Sequence, residues 1–215
     1  MNILLTGFEP FDGDALNPSQ ALAQALHGQS VDGAPITGVV LPCVFGEALD
    51  RLHHALEQHR PDLVLALGQA GGRADLSLER VAINIDDARI PDNAGRQPID
   101  TPVVPGGPAA YFSTLPIKAI VAELRAAGLP ASVSQTAGTF VCNHVFYGLM
   151  HALATRHPDA RGGFMHVPLL PEQAARQSPP AASMALETMR QGVLVALQTA
   201  LHERVDRTLG AGALN

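Results

Sequence analysis

The chain has 215 residues, of which 47% are hydrophobic and 16% charged, with a formal net charge of −6. That length and apolarity allow one compact domain, residues 1–215, burying about 70% of its unfolded surface, and exclude a disordered polymer. The acidic balance without a basic run argues against nucleic acid or a membrane surface as partner, and no apolar stretch approaches the roughly 20 residues of a membrane helix. Glu9 and Pro10 come too early for a signal peptide, so a cytoplasmic protein is expected.

In chain order, residues 3–6 form an apolar run that ends at Gly7, read as a buried first strand. Residues 36–41 (ITGVVL) and 63–67 (LVLAL, closed by Gly68) are similar runs bounded by breakers. Between them, residues 47–60 carry Leu49, Leu52 and Leu56 at three- and four-residue steps before Pro61, the spacing of a helix. Residues 81–86 alternate apolar with small or polar residues and read as a strand with one wetter face. Residues 117–127 place Ile117, Ile120, Val121 and Leu124 on one stripe and stop at Gly128. Short strands at 131–134 and 164–167 flank a helix over 143–157 that ends at Pro158. Leu186, Met189, Val193, Leu197 and Leu201 mark a last helix of about five turns. Strands alternating with helices imply an α/β fold whose largely parallel or mixed sheet is covered on both faces. The Gly/Pro-rich stretch 87–108 is too long for an ordinary connection. It either lines a site or is a surface excursion or subunit contact.

Two cysteines are too few for a disulfide scaffold. Cys43, in Leu41-Pro42-Cys43-Val44-Phe45, reads as a core thiol. Cys142 follows a candidate strand and opens a helix, where the positive helix end and unpaired amides favour a thiolate and can hold an oxyanion. A thiolate nucleophile needs an imidazole. His27, His53, His54, His59, His151, His157 and His202 sit in polar helical stretches, and His144 is poorly spaced from Cys142 on a helix. His166 instead ends a short apolar strand, where a polar ring is costly without a purpose. Glu79 sits among apolar neighbours, suited to orienting that ring or to an ion pair with Arg73 or Arg80. Spacing does not choose it over Asp75, Asp86 or Asp87.

Several separated motifs extend this reading. They are Thr6-Gly7-Phe8-Glu9-Pro10-Phe11 with Asn17-Pro18-Ser19; Leu67-Gly68-Gln69-Ala70-Gly71-Gly72-Arg73; Glu79-Arg80-Val81-Ala82-Ile83-Asn84; and Asp87-Ala88-Arg89-Ile90-Pro91-Asp92-Asn93. Ala137-Gly138-Thr139-Phe140-Val141-Cys142-Asn143 and His166-Val167-Pro168 with Leu170-Pro171-Glu172-Gln173 complete the set. From Leu4 to about Leu197 the chain resembles the pyroglutamyl peptidase I (pyrrolidone-carboxylate peptidase) family of cysteine peptidases. The resemblance implies a Glu79, Cys142, His166 triad, an α/β/α sandwich on a twisted, mostly parallel sheet, and homo-oligomers, tetramer or dimer. It implies no cofactor and no metal, and as substrates peptides with an N-terminal pyroglutamate. Phe8, Phe11 and Phe140 would sandwich the flat lactam, and Asn17 and Gln69 would bond its polar groups. Arg89 would assist the oxyanion, and Ile90 and Val141 would complete the pocket. Asp12 stands where the family often has glycine, and Leu169 where it often has an aromatic.

Two other readings stay open. One is a non-catalytic small-molecule binder with Cys142 as a buried residue. The other is a phosphate-using transferase of nucleoside-phosphorylase type, with residues 68–73 as an anion loop, although these match neither a P-loop nor a dinucleotide fingerprint. A metal hydrolase is disfavoured, because there is no HExxH and Cys142-x-His144 is an incomplete ligand pair.

Overall fold

The computed structural model of the chain describes residues 1–212. Its strands are β1 (Ile3–Phe8), β2 (Ser30–Val31), β3 (Ala34–Leu41), β4 (Leu63–Gln69), β5 (Leu76–Glu79), β6 (Val81–Ile83), β7 (Ala110–Phe112), β8 (Ala131–Ser134) and β9 (Arg161–Val167). Its helices are α1 (Pro18–Leu26), α2 (Glu47–His59), α3 (Ile117–Ala126), α4 (Val141–Arg156), α5 (Pro171–Ala174) and α6 (Leu186–His202). Seven strands form the central sheet in the order β2-β3-β1-β4-β9-β5-β8. β3, β1, β4 and β9 run parallel; β5 is antiparallel to β9, β8 is parallel to β5, and β2 is antiparallel to β3. The fold is thus α/β with a mostly parallel, mixed sheet.

Side-chain alternation along the strands builds two cores. Leu63, Leu65 and Leu67 of β4 face one side, where they join apolar residues of α1, α3 and α6. Val64 and Ala66 face the other side with Phe164, under α2 and α4. The central strands are therefore apolar on both faces, as a covered parallel sheet requires. No helix among the described residues is long and apolar enough to cross a membrane.

Several elements depart from the sequence reading. The strand expected over 81–86 is shorter, Val81–Ile83, and belongs to a separate antiparallel ribbon with β7. The strand of the main sheet is the preceding β5. The helix α1 lies outside the sequence reading, although Leu22, Ala23 and Leu26 bury one stripe and its start is capped. Asn17 accepts from the Ser19 amide, and Pro18 occupies the first turn, where its missing N–H costs nothing. α4 begins at Val141 rather than 143. β9 extends back through Gly162 and Gly163 to Arg161, because both glycines are closely approached, Gly162 by Leu153 and Gly163 by Leu115.

The stretch 87–108 is held throughout its length. The Asp86 amide donates to Thr101 O and the Thr101 amide to Asp86 O. The buried Asp92 carboxylate accepts from the amides of Phe45, Ala94 and Arg96, and Asn93 reaches Glu9 and Pro10. It packs on the loops that follow β1 and β3 instead of leaving the surface.

Candidate active site

Three elements bring the predicted catalytic residues to one sheet face. Parallel register sets Gly68 of β4 opposite His166 of β9, and antiparallel register sets Ser77 and Glu79 of β5 opposite His166 and Phe164. Residues paired in this way point to the same face, so Gly68, His166 and Glu79 all face α4. The Cys142 sulfur of α4 rests over Gly68, only 2.8 Å from where a β-carbon there would stand. Only glycine leaves room for sulfur at that point, which puts the thiol next to the strand position of His166. The Phe164 ring closes the floor, its centroid 4.9 Å from that of His166.

His166 is 4% exposed and Glu79 is 0% exposed. Their link is a 2.7 Å bond between His166 Nδ1 and Glu79 Oε1. A carboxylate only accepts, so Nδ1 carries the proton and Nε2 is the free base. The same Oε1 accepts from Arg73 Nη1, also at 2.7 Å, while Oε2 is buried without a partner. The orienting role and the ion pair therefore coexist at Glu79. Asp86 instead pairs with His144 at 2.8 Å, and Asp75 accepts from Ser77 Oγ.

The electrostatics weigh against one expectation. Burial pushes the Cys142 thiol well up, the Cys43 and Glu79 side chains add to this, and Arg73 opposes it. Burial also lowers His166 below the ordinary histidine range, against its bond to Glu79 and with the help of Arg73. Both shifts favour the neutral thiol and the neutral imidazole, against what the helix terminus alone suggests. Cys43 is buried, and desolvation, then Glu9 and Asp92, pushes it up to about 12.

The start of α4 is built by the turn before it. Gly138 has φ +76°, a left-handed conformation that glycine adopts without strain. Thr139 Oγ1 donates to Asp87 O, and the Asp87 amide returns a bond to Thr139 O. No side chain caps α4 at Phe140. Among the described residues, the amides of Val141, Cys142 and Asn143 have no partner, so they are free to meet negative charge. Asn143 and His144, neither foreseen as functional, fix this terminus. The Asn143 amide accepts from Ile83 N and donates to Ile83 O and Ile85 O; His144 accepts from Gly46 N through Nε2. Their only sequence signal is a polar residue on an otherwise apolar helix.

The expected pocket residues divide. Phe11 is half-buried, and its ring lies 6.2 Å from that of Phe140, which meets Phe45 edge-on at 5.4 Å. Ile90 and Gln69 are half-buried and Arg89 is exposed. Gln69 Oε1 accepts from Gln173 Nε2 at 3.0 Å. Phe8, Asn17 and Val141 do not offer side chains to a ligand. Phe8 (2% exposed) and Val141 (1%) are packed in the core, and Asn17 is consumed by Ser19 and Glu9 O as the cap of α1. Phe45, not singled out from the sequence, stands in the aromatic row instead. No cluster of metal-ligating side chains occurs among the described residues.

Comparison with known proteins shows the family. A family model described as pyroglutamyl peptidase matches residues 1–203. A pyrrolidone-carboxylate peptidase of Klebsiella pneumoniae is 60% identical over 211 residues, 98% of either chain, and one of Cupriavidus taiwanensis is 61% identical over 215 residues, 99% of either. Among solved structures, pyroglutamyl peptidase I of Bacillus amyloliquefaciens superposes with a TM-score of 0.95 at 46% identity, covering 97% of this chain and 99% of that one. A variant pyrrolidone carboxyl peptidase of Pyrococcus furiosus gives 0.93 at 44% identity, covering 95% and 100%. With the whole sheet, its helices and the row of motifs accounted for by one set of relatives, the chain belongs to the pyroglutamyl peptidase family.

Proposed function

We propose that this chain is a cysteine exopeptidase that hydrolyses the amide bond after an N-terminal pyroglutamyl residue, through a thioester on Cys142. The observation that carries the reading is the Glu79–His166 bond on the sheet face beneath the Cys142 sulfur. As the sulfur attacks the pyroglutamyl carbonyl carbon, its proton passes to His166 Nε2, and the imidazolium formed is paired with Glu79. The oxyanion meets the uncapped amides at the start of α4, with Arg89 at the rim. His166 then protonates the departing amine, and the thioester forms as the C–N bond breaks. Water, deprotonated by the same nitrogen, releases pyroglutamate and restores the thiol.

The substrate is a neutral, flat lactam, and the half-buried rings of Phe11 and Phe140, backed by the buried Phe45, suit its faces, with Ile90 beside it. Gln69 bonds the lactam, while Phe8, Asn17 and Val141 support the wall from behind. A site that uses such polar contacts rejects proline, which lacks the lactam carbonyl. We place the reaction in the cytoplasm, in a single-domain protein that forms homo-oligomers, dimer or tetramer. The apolar side chains of Ile99 (67% exposed) and Phe112 (69%) support the association.

Release of a chromophoric amine from a pyroglutamyl amide tests the reading. Wild type releases it, Cys142→Ala does not, and the prolyl amide is cleaved far more slowly. Turnover by Cys142→Ala overturns the nucleophile, and equal cleavage of both amides overturns the pocket.

A further inference from the structure

The ion pair at Glu79 does more than neutralise a buried charge. Glu79 is fully enclosed, and of its two oxygens only Oε1 has partners, namely Arg73 Nη1 and His166 Nδ1, each at 2.7 Å. Arg73 reaches further with its other nitrogen, Nη2, which donates to Thr136 O at 3.1 Å, in the turn that leads into Cys142. One planar guanidinium therefore ties the acid of the triad to the backbone that carries the nucleophile, a forked geometry that lysine cannot copy. Arg73 also lies at the end of the glycine-rich turn 68–73, which begins with the residue under the sulfur.

The surroundings supply no substitute. The charged and titratable groups that act on His166 and Cys142 are Glu79, Arg73 and Cys43, and the other ionisable residues nearby in the chain are Asp75, Arg80 and His144. Asp75 is engaged by Ser77, Arg80 donates to Ala211 O, and His144 is held by Asp86. Among the described residues, Arg73 is the one permanent cation bonded to Glu79.

From this geometry we propose that Arg73 is a positioning residue of the reaction, which pins Glu79 Oε1 on His166 Nδ1 and ties it to the turn that carries Cys142. The proposal rests on the triad reading above. Without the guanidinium, a buried carboxylate faces His166 alone and draws a proton onto the pair, so the neutral base is available only at higher pH.

The test is the pH profile of kcat/KM on a pyroglutamyl amide for wild type, Arg73→Gln, Arg73→Lys, Glu79→Gln and the Arg73→Gln/Glu79→Gln double variant. The acid limb reports the base of the free enzyme. Arg73→Gln is expected to raise that limb by about one pH unit and to lower kcat about 10- to 100-fold, with KM within about threefold. Arg73→Lys returns the limb to the wild-type position while kcat stays about tenfold low, since charge is restored without the fork. In the Glu79→Gln background, Arg73→Gln moves the limb clearly less than in wild type, because only the direct repulsion between guanidinium and imidazolium is then lost and not the part that acts through Glu79 Oε1. An unmoved limb in Arg73→Gln, or independent effects in the double variant, overturns the proposal. If Arg73→Gln does not fold by circular dichroism, Arg73→Lys decides, and wild-type kcat there is the refuting result. Failure of the triad itself shows separately, as turnover by Cys142→Ala.

Discussion

Gly68→Ala asks whether the sulfur truly rests on the bare backbone of β4. A β-carbon at this position would stand 2.8 Å from Cys142 Sγ and 2.7 Å from Phe164 Cζ. Non-bonded heavy atoms settle at about 3.5–4.0 Å, so each neighbour must retreat by about 1 Å. Phe164 is 1% exposed and cannot retreat freely. Overpacking of this kind costs about 1–3 kcal/mol, and moving a nucleophile by about 1 Å costs about 10²-fold in rate. Gly162→Ala supplies the control. It is as crowded, with Leu153 Cδ1 at 2.8 Å and Val64 O at 3.2 Å, but lies at the start of β9, far along the strand from His166. Thermal unfolding and amide hydrolysis should separate them. Both variants lose stability, and only Gly68→Ala loses about two orders of magnitude in kcat. Full activity in Gly68→Ala at wild-type stability would mean that the sulfur lies elsewhere, and the reasoning about the site would fall with it.

Two further outcomes follow from the same packing. Cys43 is held at about 12 against an ordinary 9.0, mainly by burial, so the unfolded chain releases its proton first. The contribution is therefore present below pH 9 and lost as pH rises towards 12, about 1.4 kcal/mol being gone at pH 10. Urea unfolding from pH 8 to 10.5 should show that slope, smaller in Cys43→Ala, and identical slopes would refute it. Asn143→Ala removes three bonds to Ile83 and Ile85 and leaves buried main-chain groups unpaired. The expected cost is about 3 kcal/mol in urea unfolding together with a lower kcat, and a change of under 1 kcal/mol would contradict the anchoring role.

Much of this layout is legible in the primary structure, for physical reasons that differ by element. β4 and β8 are bounded by glycine and proline, so their limits lie close to the sequence reading. α2 and α3 bury one stripe each, and their periodicity is plain. β5 is hidden because Leu76-Ser77-Leu78-Glu79 buries all four residues, including a carboxylate that only tertiary partners make tolerable. α1 is short, and its buried stripe of Leu22, Ala23 and Leu26 stands in an alanine-rich run that gives little contrast, so the Asn17–Pro18 start is its clearest mark. Within the site, type and order of the triad residues are visible, whereas pocket exposure is not. Phe8 and Phe11 stand three positions apart in one motif, yet Phe8 is the last residue of a buried strand and Phe11 the first turn beyond it. No spacing rule separates them; the end of β1 does.

The protonation state was the least accessible feature, and magnitudes explain why burial prevails over the helix terminus. Charge at the end of a helix is worth about 0.3–1 kcal/mol, less than one pKa unit, while desolvation of a buried group reaches about 3–5 units. Burial therefore works against a resting thiolate at the amides of α4, which are left free for the oxyanion, a charge that exists only during turnover. A permanent buried thiolate–imidazolium pair would carry two desolvation penalties throughout the catalytic cycle. A neutral pair beside Glu79 confines that cost to the moments when a neutral lactam has filled the aromatic row and excluded water. The fixed charges Arg73 and Glu79 meanwhile compensate each other at one oxygen, Oε1, which also holds His166 Nδ1, so neither is left over for a substrate that offers no charge to bind.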